Sequence, residues 1–142
     1  MSRQESAPAR GRSAAGPWIA LALWCAVIFG LSSLPGGGTT PVEFRDPLFY
    51  LGLAFRKLCH LVEYAVLYAL ARRALAGTVF ADGRLASLSA FAFCVLYAVT
   101  DEWHQSFVPG RLGRWSDVLI DALGAAAARA RLARGTAEIS RY

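Results

Sequence analysis

The fold class of this chain is decided by residues 85–105, LASLSAFAFCVLYAVTDEWHQ. From Leu85 to Thr100 there is no charged side chain, so a helix built from this stretch has no charged face to turn toward water. A soluble helical bundle needs polar outer faces, whereas a helix in a bilayer does not. After Thr100 the sequence becomes abruptly polar, with Asp101, Glu102 and His104 in close succession. This stretch therefore predicts a membrane-spanning helix that ends in a polar cluster.

The composition of the whole chain also favours a membrane protein. Of its 142 residues, 56% are hydrophobic and 18% are charged, against roughly 45–50% and about 25% in ordinary globular proteins. These values exclude disordered, collagen-like and disulfide-scaffold classes. Cys25, Cys59 and Cys94 lie within apolar runs and lack metal-ligand spacing. We interpret them as small hydrophobic residues and not as disulfides or ligands.

Four apolar segments predict an all-α, four-transmembrane-helix bundle. The first, Trp18–Leu34, has 17 residues without a charge. It is longer than the 7–15 residues or so of a signal-peptide core and no A-x-A site follows it, so we expect a retained helix. The other three, at about Leu51–Leu70, Leu85–Phe107 and Trp115–Leu132, are interrupted by charges. They can cross a hydrocarbon core of roughly 30 Å only if their polar side chains face one another inside the bundle.

The distribution of basic residues predicts the orientation of the bundle. With the amino terminus inside, ten of the 15 Lys and Arg residues fall in cytoplasmic pieces, as the positive-inside rule requires. We therefore interpret the net charge of +5 as a topology signal, and we expect no nucleic-acid partner. The protein is expected in the cytoplasmic (plasma) membrane with both termini in the cytoplasm. The predicted regions are a disordered basic arm at 1–16, a membrane domain at 17–132 and a basic tail at 133–142.

With this orientation, the polar groups of the second, third and fourth segments fall in the outward half of the membrane. In the second segment Lys57, His60 and Tyr64 share one helical face, at positions i, i+3 and i+7. A charged side chain near the middle of a helix costs about 2.5–3.5 kcal/mol on insertion scales, so we expect basic and acidic members to pair, in combinations that the sequence leaves open. The predicted binding residues are Lys57, His60, Tyr64, Asp101, Glu102, His104, Gln105, Arg111, Asp117 and Asp121.

Three further patterns accompany this set. Gly124-x-x-x-Ala128 is a small-xxx-small pattern, which predicts a close approach by a neighbouring helix. Arg111 and Arg114 predict a basic rim beside Lys57, suited to a phosphate head group or to charge balance with the acids. Three of the four tryptophans lie at predicted segment ends, as is typical of membrane-interface anchors.

The pattern of these residues gives little support to a metal-binding site. Histidine and carboxylate ligands suit zinc or manganese, and a set of that kind is available in His60, His104, Asp101, Asp117 and Asp121. No two histidines share a helix, however, and Glu102-Trp103-His104 is not an H-E-x-x-H motif. We therefore predict no metal and no cofactor.

The chain resembles the VanZ-like family in several motifs that together cover roughly residues 18–128. They are Ile28-Phe29-x-x-Ser32-Ser33, Lys57-x-x-His60-x-x-x-Tyr64, Asp101-Glu102-x-His104-Gln105-x-Phe107-x-Pro109-Gly110-Arg111 and Asp117-x-x-x-Asp121-x-x-Gly124. The resemblance implies a small multi-span membrane protein. The founding member of the family raises tolerance of the glycopeptide teicoplanin, and the family has no agreed biochemical activity. Asp121 is a departure, since many members carry Asn there, and it adds a possible negative charge.

We expect a binding protein of the cell envelope and not an enzyme. Its polar cavity would open to the outer side and hold a lipid, lipid-linked or glycopeptide head group, with membrane lipids as partners and a contribution to teicoplanin tolerance. The alternative is an intramembrane hydrolase or transferase acting on a lipid-linked phosphate or ester, with His104, Asp101 and His60 as catalytic candidates. Two further alternatives are a purely structural polar network and a small proton-coupled carrier. The scarcity of polar residues in the inner halves of the helices counts against the carrier.

Overall fold

A computed structural model describes residues 15–36, 47–76 and 83–139 of the chain. These residues form four α-helices and no strand, which confirms the all-α prediction. The arm predicted at 1–16 lies outside the described residues except for its last two, which begin the first helix. The helices are α1 (Ala15–Ser32), α2 (Pro47–Ala76), α3 (Gly83–Gln105) and α4 (Trp115–Ile139).

Two helices are longer than the apolar segments that predicted them. Helix α2 starts at Pro47, a residue that suits the first turn of a helix, and runs past Arg72 and Arg73. Helix α4 continues to Ile139 through most of the predicted tail. An apolar run ends at its first charges, whereas a helix continues through Ala and Arg because both have high helix propensity.

Consecutive helices of the chain alternate in direction. Helix α2 packs most extensively against α4 and then against α3 and α1. Lys57 contacts Asp117 and His60 contacts Asp121, so contacts advance along α2 and α4 in the same direction, and these two helices are parallel. This is the relation that an up-and-down sequence of four helices requires.

Helices α1 and α3 are parallel as well. The Tyr97 hydroxyl donates to the Cys25 carbonyl at 2.7 Å, and further along both helices the Ser32 hydroxyl donates to Asp101 at 2.9 Å. The carboxyl ends of α1 and α3 therefore meet the first half of α2 and the start of α4. We call this end of the bundle the polar end.

The close approach of α2 and α4 depends on Gly124. A Cβ atom at this position would collide with the backbone carbonyl of Leu61 on α2, as the small-xxx-small pattern predicts. Beside this contact lies an apolar core in which Tyr64, Leu67 and Tyr68 of α2 are fully buried. All three cysteines are free thiols, and Cys94 is part of this core.

The outer surface of the bundle is apolar. Helices α1 and α3 are long and apolar enough to cross a bilayer, and only 17% and 22% of their apolar windows are buried within the bundle. A core helix of a soluble protein also passes the test of length and composition, but it is mostly buried. Helices α2 and α4 do not pass this test, although both expose large apolar side chains such as Phe55 and Leu119.

Candidate functional site at the polar end

The polar end is organised around two contacts between α2 and α4. Lys57 Nζ lies 2.7 Å from Asp117 Oδ1, and both side chains are partly exposed. One turn deeper, His60 Nδ1 lies 3.2 Å from Asp121 Oδ1, and Asp121 is completely buried. The helical spacing predicted these faces, and the structure supplies the pairing that the sequence left open.

A second network joins α3 to the end of α1. Asp101 Oδ2 accepts hydrogen bonds from the Ser32 hydroxyl and from Gln105 Nε2, both at 2.9 Å. Gln105 Nε2 also lies 3.3 Å from the Ser32 hydroxyl oxygen. All three residues are buried. Their side chains therefore hold α1 and α3 in a fixed register at the polar end.

Arg111 closes this network from the loop between α3 and α4. Its guanidinium donates to the carbonyls of Leu31 (2.8 Å) and Leu34 (2.9 Å) and to Gln105 Oε1 (3.2 Å). Carbonyls at the end of a helix lack partners within the helix and carry partial negative charge. Arg111 therefore caps α1, and the contacts found for it are with carbonyls instead of with the neighbouring acids. Gly110, with φ of 74°, supplies the turn before it, a conformation that glycine adopts without strain.

His104 lies one turn along α3 from Asp101 and also packs against the end of α1. Its ring stacks on Phe29 with ring centroids 4.5 Å apart, and its Nε2 lies 3.1 Å from the Ser33 hydroxyl. Asp101 is bound to Ser32 and Gln105 instead. The structure thus gives His104 and Asp101, two of the catalytic candidates, separate hydrogen-bond partners. His104 packs against α1.

Three buried carboxylates and the partly buried His60 meet at the polar end, and we call these four residues the buried cluster: His60, Asp101, Glu102 and Asp121. Ligand atoms of His60, Asp101 and Glu102 all lie within 4.8 Å of one another. Glu102 Oε2 accepts a hydrogen bond of 2.8 Å from the Arg114 backbone N–H. These three residues are close enough together to share one bound ion.

The buried cluster contains oxygen atoms that have no hydrogen-bond partner among the described residues. They are one carboxylate oxygen each of Asp101, Glu102 and Asp121, together with the hydroxyl of the adjacent Tyr64. All four residues are at most 5% exposed. Native proteins pair nearly all of their buried polar atoms, so a group of unpaired ones in one place calls for a further partner such as a water molecule, a shared proton or a bound ion.

A cavity of about 240 Å³ lies beside the buried cluster, between the end of α3 and the start of α4. Glu102 is the one member of the buried cluster that lines it. The strongly exposed rings of Trp103 and Trp115 stand at its edges. The remaining lining residues are Val99, Ser106, Gly113 and Arg114.

Two residues of the site carried no predicted role, namely Ser32 and Ser33. Ser32 orients Asp101 and Ser33 contacts His104. Isolated serines at a helix end give no periodic or charge signal, so reasoning from residue chemistry passes over them. The one signal available was their place in the motif at the end of the first apolar run.

The described residues thus form a small all-helical protein with a buried layer of charged side chains at one end, and two of its helices are long and apolar enough to cross a membrane. The chain belongs to the VanZ/LLP1 family, whose family model matches residues 17–130. This confirms the resemblance found in the motifs. A search of curated proteins and a search of solved structures each found no match.

Proposed function

We propose that all four helices cross the cytoplasmic membrane, with both termini in the cytoplasm and the polar end facing outward. The alternating helix directions and the excess of Lys and Arg in the cytoplasmic pieces support this arrangement. A membrane domain at 17–132 flanked by basic ends is part of the proposal. A reporter fused after Tyr142 and a second one inserted between Pro109 and Gly113 test it. Cytoplasmic activity at residue 142 and external activity in the loop are expected, and the reverse pattern would overturn the orientation.

We propose further that the protein binds the polar head group of a membrane lipid or lipid-linked envelope precursor at the polar end. The observation that supports this is the 240 Å³ cavity lined by Glu102, Ser106 and Arg114 between two exposed tryptophans. Tryptophan is enriched where acyl chains meet head groups. The guanidinium of an arginine is suited to bind phosphate through paired hydrogen bonds.

Arg114 is the side chain on which this proposal depends. Its backbone N–H is held by Glu102, and its side chain is exposed at the cavity. Arg111 caps α1 and Lys57 is paired with Asp117, so both of these cations are already engaged. A phosphate in the cavity would therefore meet Arg114 first, and Ser106 could donate a further hydrogen bond.

Native mass spectrometry of the full chain from nanodiscs tests head-group binding. Nanodiscs of phosphatidylglycerol and phosphatidylcholine should release a protein that retains the anionic lipid preferentially. Arg114→Ala should reduce that retention at least threefold. The matched control is Arg56→Ala, which removes an exposed arginine of α2 that does not line the cavity. Equal retention by wild type and Arg114→Ala would contradict the proposal.

A contribution to glycopeptide tolerance follows from the family and from binding at the outer face. If the head group belongs to a lipid-linked wall precursor, expression in a susceptible host should raise the inhibitory concentration of teicoplanin. Arg114→Ala expressed at the same level should not raise it. If wild type and Arg114→Ala raise the inhibitory concentration of teicoplanin equally, tolerance does not depend on Arg114 or on the cavity.

An intramembrane hydrolase or transferase is the second candidate function. The observation that favours it is the proximity of His60 to two carboxylates with unpaired oxygens, beside a cavity that reaches Glu102. Purified protein incubated with a polyprenyl pyrophosphate should then release inorganic phosphate, and His60→Gln should stop the release. Absence of release from wild type would leave head-group binding as the function.

A further inference from the structure

We propose that His60, Asp101 and Glu102 bind one divalent first-row metal ion, of the Zn²⁺ or Mn²⁺ type, inside the bundle. Their ligand atoms lie within 4.8 Å of one another. In a tetrahedral site with metal–ligand bonds of about 2.0–2.2 Å, ligand atoms are separated by roughly 3.4 Å. Each ligand atom therefore needs to move by at most about 0.8 Å toward the centre of the cluster, a movement that side-chain rotations supply.

The hydrogen bonds around the carboxylates are those expected of metal ligands. Asp101 uses Oδ2 for Ser32 and Gln105, and Glu102 uses Oε2 for the Arg114 backbone. The other oxygen of each carboxylate is buried and has no partner in the part of the chain that the structure describes. Ligating carboxylates are commonly oriented in this way, with one oxygen held by outer hydrogen bonds and the other available to the metal.

The histidine is oriented in the same manner. Its Nδ1 contacts Asp121 Oδ1 at 3.2 Å, which leaves Nε2 as the nitrogen available to a ligand. A carboxylate on one ring nitrogen fixes the tautomer and makes the other nitrogen a better ligand. Asp121 is fully buried on α4, so this orientation is built into the packing of α4 against α2.

The charge balance of the buried cluster also calls for a cation. Three carboxylates share the interior with one histidine, and Glu63 lies one turn along α2 from His60. Two basic side chains of the polar end have other contacts, since Lys57 pairs with Asp117 and Arg111 binds two carbonyls and Gln105. Arg114, whose backbone binds Glu102, is exposed. Carboxylates this close together need either a bound cation or shared protons to offset their repulsion.

The donor set selects the kind of ion. One imidazole nitrogen with carboxylate oxygens suits zinc or manganese, whereas magnesium and calcium prefer oxygen ligands alone. This set differs from the one that the sequence suggested. Glu102 enters it, and His104 and Asp117 leave it because they contact Ser33 and Lys57 instead. Asp121 also leaves it, because it contacts Nδ1 of His60.

The test is a metal titration of the purified full-length protein in nanodiscs after treatment with a chelator. Mass spectrometry of the metal content should give one Zn²⁺ or Mn²⁺ per chain, and calorimetry should give a micromolar or tighter Kd. His60→Gln and Glu102→Gln should each weaken binding more than 100-fold. Asp121→Asn, which removes only the orienting carboxylate, should weaken it about 10–100-fold.

The matched control is Glu63→Gln, the same substitution at a partly buried glutamate of α2 outside the cluster. It should change the affinity by less than threefold. Circular dichroism and size-exclusion chromatography identify any variant that fails to fold. The titration of the wild-type protein tests metal binding even if every variant fails to fold. Wild type that binds no ion at 100-fold excess would overturn it and would indicate carboxylates that share protons. A loss in His104→Gln equal to that in His60→Gln would overturn the ligand assignment.

This inference is separable from head-group binding. Arg114→Ala alters the cavity but no proposed ligand side chain, so its metal stoichiometry should remain one. His60→Gln should lose the ion and keep the lipid preference. If metal binding fails while lipid retention still depends on Arg114, the metal site alone is refuted.

Discussion

The substitution Gly124→Ala tests how α2 and α4 are held together. The added Cβ would collide with the Leu61 carbonyl, and the next nearest atoms, the carbonyl carbon and Cα of Leu61, lie at 2.9 and 3.1 Å. All three are backbone atoms, so no side-chain rotation relieves the collision. The helices must move apart by roughly 1 Å, a gap that forfeits a quarter to a half of each dispersion contact.

The expected cost is a loss of about 1–3 kcal/mol in the free energy of unfolding, the usual range for overpacking. The same separation would stretch the Lys57–Asp117 and His60–Asp121 contacts, which lie on the same two helices. Alanine has a higher helix propensity than glycine by about 1 kcal/mol. The measured loss in the free energy of unfolding is therefore the cost of the collision minus this gain in helix propensity.

The assay is unfolding by sodium dodecyl sulfate in mixed micelles, followed by circular dichroism. Gly30→Ala is the matched control, because a Cβ at Gly30 on α1 meets nothing within 4 Å. It should leave stability unchanged or raise it slightly. If Gly124→Ala is as stable as Gly30→Ala, the close contact between α2 and α4 does not exist.

Two further predictions concern the capping of α1 and the support of Asp101. Arg111→Lys should lower the free energy of unfolding by about 1–3 kcal/mol, because one ammonium group cannot reach both carbonyls and Gln105. The control Arg131→Lys, at an exposed site, should have no effect. Equal losses in the two variants would refute the role of Arg111 as a cap. Ser32→Ala should cost about 1 kcal/mol because it removes a buried donor to Asp101, whereas Ser33→Ala, at an exposed position, should cost less than half as much. The same unfolding assay measures all four variants, and equal effects of the two serines would contradict the second prediction.

Much of the architecture could be predicted from the sequence because it depends on patterns within single helices. The uncharged run in α3 and the spacing of Lys57, His60 and Tyr64 both depend on one helix alone. Gly124 also predicted correctly that a neighbouring helix approaches closely. Helix faces follow from the helical repeat, so these features needed no knowledge of the packing.

The partners within the site could not be predicted because they depend on the relative rotation of different helices. Asp101 and His104 are three residues apart on one helix, yet Asp101 turns toward Ser32 and His104 toward Phe29. The contacts of Arg111 depend on a loop whose path is set by the positive φ of Gly110. Counting charges alone would pair Arg111 with one of the neighbouring acids. In the structure its guanidinium donates to the carbonyls of Leu31 and Leu34 at the end of α1 instead.

The central claim is that the polar side chains of α2, α3 and α4 meet inside the bundle when it lies in a membrane. Solid-state NMR of the protein in lipid bilayers, with ¹⁵N-histidine and ¹³C-carboxyl-aspartate, measures this most directly. The chain has only two histidines, so His104→Gln assigns the signal of His60. The 3.2 Å contact between His60 Nδ1 and Asp121 Oδ1 predicts strong nitrogen–carbon dipolar dephasing. Asp121→Asn should reduce it to the weaker dephasing caused by the carboxyl of Asp101, which has a ligand atom within 4.8 Å of that of His60. A His60 signal that shows no dephasing in bilayers would contradict the buried cluster itself.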